Sequence, residues 1–175
     1  MKKFIFFAII ALLCGCNEYT IYKDKFVAFD PASSSVTSVH EQGDFTGAYV
    51  VHYTGETPST RFTVEWEIIE GDGLKEGRDY EVVTSGRTLT FMPGVFNQPI
   101  RIHWLPSSID ETKDNSLTIR LLSGPEDLIL GMPGPDALFR QITIKKYKDK
   151  SPKNKYYEKI LSDGTLCRCG CICRM

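Results

Sequence analysis

Histidine is scarce in this chain of 175 residues: three occur, at positions 40, 52 and 103. That leaves little from which to build a histidine-based active site. No second histidine follows His40-Glu41 at the spacing a zinc-protease helix needs, and no Gly-x-Ser-x-Gly elbow is present. No apolar run reaches the roughly 20 residues that cross a bilayer as a helix. No stretch of ten or more residues carries a helical period, so the pattern gives no basis for a helical fold. An excess of one charge is also lacking, with 21 Lys or Arg against 22 Asp or Glu, and nothing global calls for nucleic acid. What the composition does hold is 42% hydrophobic and 11% aromatic residues. That suits a packed core in one domain with attachments and argues against wholesale disorder.

The amino end reads as a processing signal. Lys2 and Lys3 precede ten apolar residues at 4–13, a basic n-region and an h-region too short to span a membrane. Leu13-Cys14-Gly15-Cys16 follows, with a large aliphatic residue three places before Cys16 and a small one immediately before it. The segment resembles the bacterial lipobox. That resemblance implies a diacylglyceryl thioether on Cys16 and cleavage just before it. The plainer reading is an ordinary secretory signal with a stray cysteine. Membrane attachment through the lipid is expected, since each buried methylene contributes about 0.8 kcal/mol. Asn17, not aspartate, follows Cys16, so outer-membrane residence in a cell envelope is the expectation. The chain divides into a signal peptide (1–15), a lipidated tether (16–24), a folded domain (25–147) and a basic, cysteine-rich tail (148–175).

Between tether and tail, apolar and polar residues alternate in short runs. Strands are predicted at 26–29, 35–39, 45–53, 61–69, 79–83, 87–91, 98–104, 116–122 and 138–146. In 61–69 the inward set is Phe62, Val64, Trp66 and Ile68, against Thr63, Glu65 and Glu67. A period of two marks a strand with one face on a core. Glu70-Gly71-Asp72-Gly73 and Met92-Pro93-Gly94 are turns, and 124–135 is too rich in Gly and Pro for a regular element. Eight or nine such strands predict an all-β fold, an antiparallel sandwich, with a small barrel as the alternative.

Glu76-Gly77-Arg78-Asp79-Tyr80, then Gly86-Arg87-Thr88-Leu89-Thr90-Phe91-Met92-Pro93-Gly94, Ile100-Arg101-Ile102, Asp110-Glu111 and Asn115-Ser116-Leu117-Thr118-Ile119 occur in order. Together they resemble the Calx-beta family over about residues 65–122. The resemblance implies an immunoglobulin-like sandwich and a role in adhesion or surface interaction, with a protein or glycan partner. In some members it extends to calcium held by loop carboxylates. The matching acidic loop carries Asp110, Glu111 and Asp114, with Asp72, Glu76 and Asp79 in a second loop. The family's doubled aspartate is absent, because Ile109 precedes Asp110. Acidic loops also serve solubility alone.

Catalytic readings are thin. His52 and His103 fall on strands with outward parity. Glu65 and Glu67 share a strand face, the arrangement from which a glycosidase pair could be drawn, but outward carboxylates are usually just solvated. The expectation is a non-enzyme. The tail, by contrast, is unusual. Residues 145–175 carry nine Lys or Arg against three Asp or Glu, and Cys167, Cys169, Cys171 and Cys173 stand at alternate positions. Three readings stay open: thiolates holding Zn or Cu(I), disulfides formed in an oxidising envelope, or incidental cysteines. The sequence therefore reads as a lipid-anchored binding module. A metal-handling lipoprotein and an unrecognised envelope hydrolase are the alternatives.

Overall fold

The computed structural model describes residues 24–148. Among these there are ten strands and no helix: β1 (Phe26–Phe29), β2 (Ser38–His40), β3 (Phe45–Thr54), β4 (Phe62–Glu70), β5 (Tyr80–Val82), β6 (Thr88–Phe91), β7 (Asn97–Trp104), β8 (Ser116–Ser123), β9 (Ile129–Leu130) and β10 (Gln141–Tyr147). They form two five-stranded sheets, ordered β5-β7-β3-β1-β9 and β2-β10-β8-β4-β6. Odd-numbered strands make the first sheet and even-numbered strands the second. Every connection among them therefore crosses from one sheet to the other, and no two consecutive strands pair.

The inner faces interlock as the alternation predicts. Val27, Tyr49, Val51, Ile100, Ile102 and Trp104 of the first sheet meet Val64, Trp66, Phe91, Leu117, Ile119, Leu121 and Ile144 of the second. Burying each large apolar side chain contributes roughly 1.5–3 kcal/mol. The polar tips of Trp104, Tyr49 and Tyr80 in this core are partnered, whereas the buried Trp66 Nε1 has no hydrogen-bond partner among the described residues. Trp104 Nε1 donates to the Tyr49 hydroxyl at 3.1 Å, which donates to the Val36 carbonyl at 3.4 Å. Burial pushes Tyr49 up to about 12. Tyr80, tilted on Trp104, donates to the Glu70 carboxylate. Burial raises its pKa first, and the Glu70 carboxylate raises it further.

The structure departs from the sequence reading at four places. The second strand starts at Ser38, because Ser35 is used to bond Ala48. The segment 124–135 does hold a strand, the two-residue β9, which pairs parallel to β1. The last strand begins at Gln141: Leu138 and Phe139 belong to the preceding loop, and Phe139 has φ 58°, outside the strand region. At its other end β10 runs one residue past the predicted 146, to Tyr147. The edges are short strands, which limits edge-to-edge association.

Candidate functional site

Cys16 and Cys167, Cys169, Cys171 and Cys173 lie outside the described residues. The acidic loop lies within them, at the end of the sandwich where β4 and β7 finish. Asp110 accepts bonds from the Thr112 amide at 3.0 Å and hydroxyl at 2.7 Å, and the Thr112 hydroxyl chiefly holds its pKa down. Asp72 accepts from the Asp114 amide at 2.7 Å. Asp110, Glu111 and Asp114 are exposed. Among the described residues, no group of three or more His, Cys, Asp or Glu is placed to hold a metal ion. The outward carboxylates of β4 are engaged by neighbours: Glu67 by its cross-strand partner Arg120, with Nε at 2.7 Å, and Glu65 by Ser123 at 2.7 Å. His103 stands between Thr46 at 3.2 Å and Asp44 at 3.4 Å. His40 meets the edge of Tyr147.

Asp79 proves to be a core residue. It is 0% exposed, and its partner across the sandwich, Lys146, is 3% exposed. Lys146 is inward because β10 alternates Ile142, Ile144, Lys146. Its ammonium donates to Ser107 Oγ at 2.5 Å and the Leu105 carbonyl at 2.6 Å, and lies 3.9 Å from Asp79 Oδ1. The Asp79 carboxylate also takes the Lys75 amide at 2.8 Å, Arg78 Nε at 2.7 Å and the Ser107 hydroxyl. Burial pushes Asp79 up, but the Arg78, Ser107 and Lys75 hydrogen bonds together outweigh it and hold the carboxyl below its ordinary value. For Lys146 burial dominates, and the more distant carboxylate does not repay it, so its pKa falls. The node locks the start of β5, the β7–β8 loop and β10 together.

The outer face of the first sheet is different. In β1 all four residues are buried, although Phe26 and Ala28 point away from the core. The loop at 131–140 follows β9 and runs beside β1, and its Met132 and Phe139 line a groove with Phe26 and Ala28. Gly131 N donates to the Val27 carbonyl and Phe29 N to the Phe139 carbonyl, both at 2.8 Å. Between loop and β3 lies a groove of about 270 Å³, with Phe26 and Ala28 as floor, Phe139 and Met132 on one wall, His52 and Thr54 on the other, and Asp30 and Pro31 at one end.

His52 is oriented by Asn97 on β7: Nδ1 lies 2.6 Å from Asn97 Oδ1. An amide oxygen only accepts, so Nδ1 is the donor in this contact, and in the neutral imidazole Nε2 is the acceptor. Asp30 closes a turn on the Ala32 amide at 3.0 Å. The Ser33 hydroxyl chiefly keeps it below the ordinary carboxylate range. The loop itself is strained. Ala137 (φ 41°) and Phe139 (φ 58°) are the non-glycine residues at positive φ among the described residues, and such positions cost about 1–3 kcal/mol each. They are held by Met132 N on the Leu138 carbonyl at 2.7 Å and Arg140 N on the Ala137 carbonyl at 3.1 Å. At Gly131 a Cβ would strike the Ala137 carbonyl. The outcome is a Phe139 ring fixed at the groove while 43% of that residue stays exposed.

A second cleft, of about 210 Å³ near residue 25, carries pairs of its own: Lys25 with Asp127 at 3.1 Å, and Tyr53 with the Glu56 carbonyl at 3.0 Å. Sequence reasoning considered His52 alone and connected it with neither Asp30 nor Phe139. The missed signal was Phe-Val-Ala-Phe in β1. A strand without a polar residue has both faces covered. No protein-family model matches the chain, and no curated protein matches it.

Proposed function

We propose that this chain is a lipid-anchored, non-catalytic protein of the cell envelope whose Calx-beta-like sandwich is a contact module. The groove between β1, β3 and the 131–140 loop is its working surface. The observation that carries the reading is the strained loop. Two left-handed non-glycine residues hold a half-exposed aromatic ring beside a carboxylate and an oriented imidazole, and such strain clusters where a fold presents something. The immunoglobulin-like assignment is supported by strand partition. Taking β1, β3 and β7 as strands A, B and E and β4, β8 and β10 as C, F and G, the A-B-E set shares one sheet and C-F-G the other, as in that fold.

The anchor is tested by Cys16→Ser. The parent is expected in the membrane fraction, carrying acyl mass, and the variant in the soluble fraction without it; equal partition and equal mass refute lipidation. The contact role is tested by hydrogen exchange on the full chain in isolated envelopes and after detergent extraction. Slower amide exchange at 131–140 in the envelope is expected. Identical exchange in both settings removes the groove as the contact surface.

A further inference from the structure

We propose that the groove binds a single neutral pyranose ring, its C–H face on Phe139 and its hydroxyls on Asp30 and His52. The inference rests on the reading of this groove as the contact site, and adds the chemical class of what it contacts.

The lining decides by exclusion and then by fit. Asp30 is the carboxylate in it, and no Lys or Arg lines it, so phosphate, sulfate and carboxylate ligands meet a like charge and find neither ammonium nor guanidinium to pair with. A wholly apolar ligand would strip water from Asp30, His52 and Thr54 and give no hydrogen bond in return. An extended peptide would need a free strand edge. Here β9 is two residues long, and the loop continues its ladder to Phe139. What remains is a ligand that is apolar on one face and rich in donors at its rim. Asp30 is ionised and accepts, and His52, whose Nδ1 is engaged by Asn97, presents Nε2, an acceptor in the neutral imidazole. A sugar ring supplies hydroxyl donors at its edge. It also supplies a face of polarised C–H groups, which the negative face of an aromatic ring attracts. The groove, about 270 Å³, falls below the roughly 300–1,000 Å³ of drug-sized pockets. That suits one ring and not an oligosaccharide cleft.

The test is a ¹H–¹⁵N titration of the full chain in detergent micelles. The probes are methyl glycosides of glucose, galactose and mannose, and N-acetylglucosamine, with cyclohexanol as an apolar ring that lacks the hydroxyl rim. At least one sugar is expected to shift the amides of Ala28, Asp30 and His52 saturably in the millimolar range. Phe139→Asn is expected to weaken that binding about tenfold or more, a loss equivalent to about 1.4 kcal/mol. Asparagine adopts positive φ readily, so the fold should persist, checked by unchanged amide shifts at Ile119. Sugar shifts that survive Phe139→Asn overturn the proposal, as does the absence of any sugar shift. If cyclohexanol alone shifts these amides, the groove stands as a binding site and the saccharide assignment falls. Silence from every probe, with no exchange protection of the loop in envelopes, removes both readings.

Discussion

Lys146 and Asp79 face each other inside the sandwich without a close mutual bond, 3.9 Å apart. The two are not equivalent. Asp79 is served by Arg78, Lys75 N and Ser107, whereas the lysine leans mostly on carbonyls and Ser107. Removing the carboxylate strands a buried ammonium, so Asp79→Ala should cost about 3–5 kcal/mol. Lys146→Met keeps the apolar stem and leaves Asp79 with its nearer partners, so a loss of about 1–2 kcal/mol is expected. Urea unfolding of both variants checks the order, and a larger loss for Lys146→Met would contradict the account. Because the folded pKa of Asp79 lies below 3.8, its contribution is present above that value and disappears as pH falls through the folded pKa. The gap in urea midpoint between parent and Asp79→Ala should therefore narrow in acid. Lys146 acts in the other window. Its pKa is lowered from 10.5, so the unfolded chain binds its proton more tightly and stability gains as pH rises toward 10.5. Little of this was visible beforehand. Asp79 stood in a recognisable Gly-x-Asp-Tyr step but was grouped with loop carboxylates. Lys146 was counted as tail charge, although its parity with Ile142 and Ile144 already pointed it inward.

Strands with one dry face were legible because their period survives in the burial. Val64 and Trp66, Leu89 and Phe91, Ile100, Ile102 and Trp104, and Leu117, Ile119 and Leu121 are all buried as the alternation requires. Where pairing depends on distant segments the sequence is silent. Ile129 and Leu130 become a strand only because β1 offers them an edge, and the groove takes Met132 and Phe139 from the 131–140 loop that continues along that edge. Turn glycines fall between these cases. Gly71 and Gly73 were expected as turn formers. The structure adds that their amides bond Ser116 O at 2.8 Å and Asp114 O at 2.9 Å, and that a Cβ at Gly71 would run into the Asp114 carbonyl. The β4–β5 turn and the β7–β8 loop are thus packed backbone to backbone. Gly71→Ala should destabilise by about 1–3 kcal/mol through overpacking, measured by thermal or urea unfolding. A variant as stable as the parent would mean that the two loops do not meet.

The whole molecule is governed by the crossing of every connection between sheets. With no hairpin between consecutive strands, even the nearest pairings are far apart in sequence, such as Glu65 with Thr88 and Val82 with Ile102. Loop-closure entropy must be met before contacts compensate it. Refolding of the domain is therefore expected on the millisecond-to-second scale. Stopped-flow fluorescence of Trp66 and Trp104 reads it directly, and microsecond refolding would argue against this topology. The same architecture gives the two outer faces different characters. The second sheet presents self-satisfied polar pairs, such as Thr118 with Thr143 at 2.8 Å. The first presents the groove, with Leu138 beside it 58% exposed. Site-specific photocross-linking in intact cells compares them, with Leu138→p-benzoylphenylalanine on one side and Thr143→p-benzoylphenylalanine on the other. A contact module working through the groove predicts an envelope adduct from position 138 and none from 143. Adducts from 143 alone, or equally from both, would contradict it.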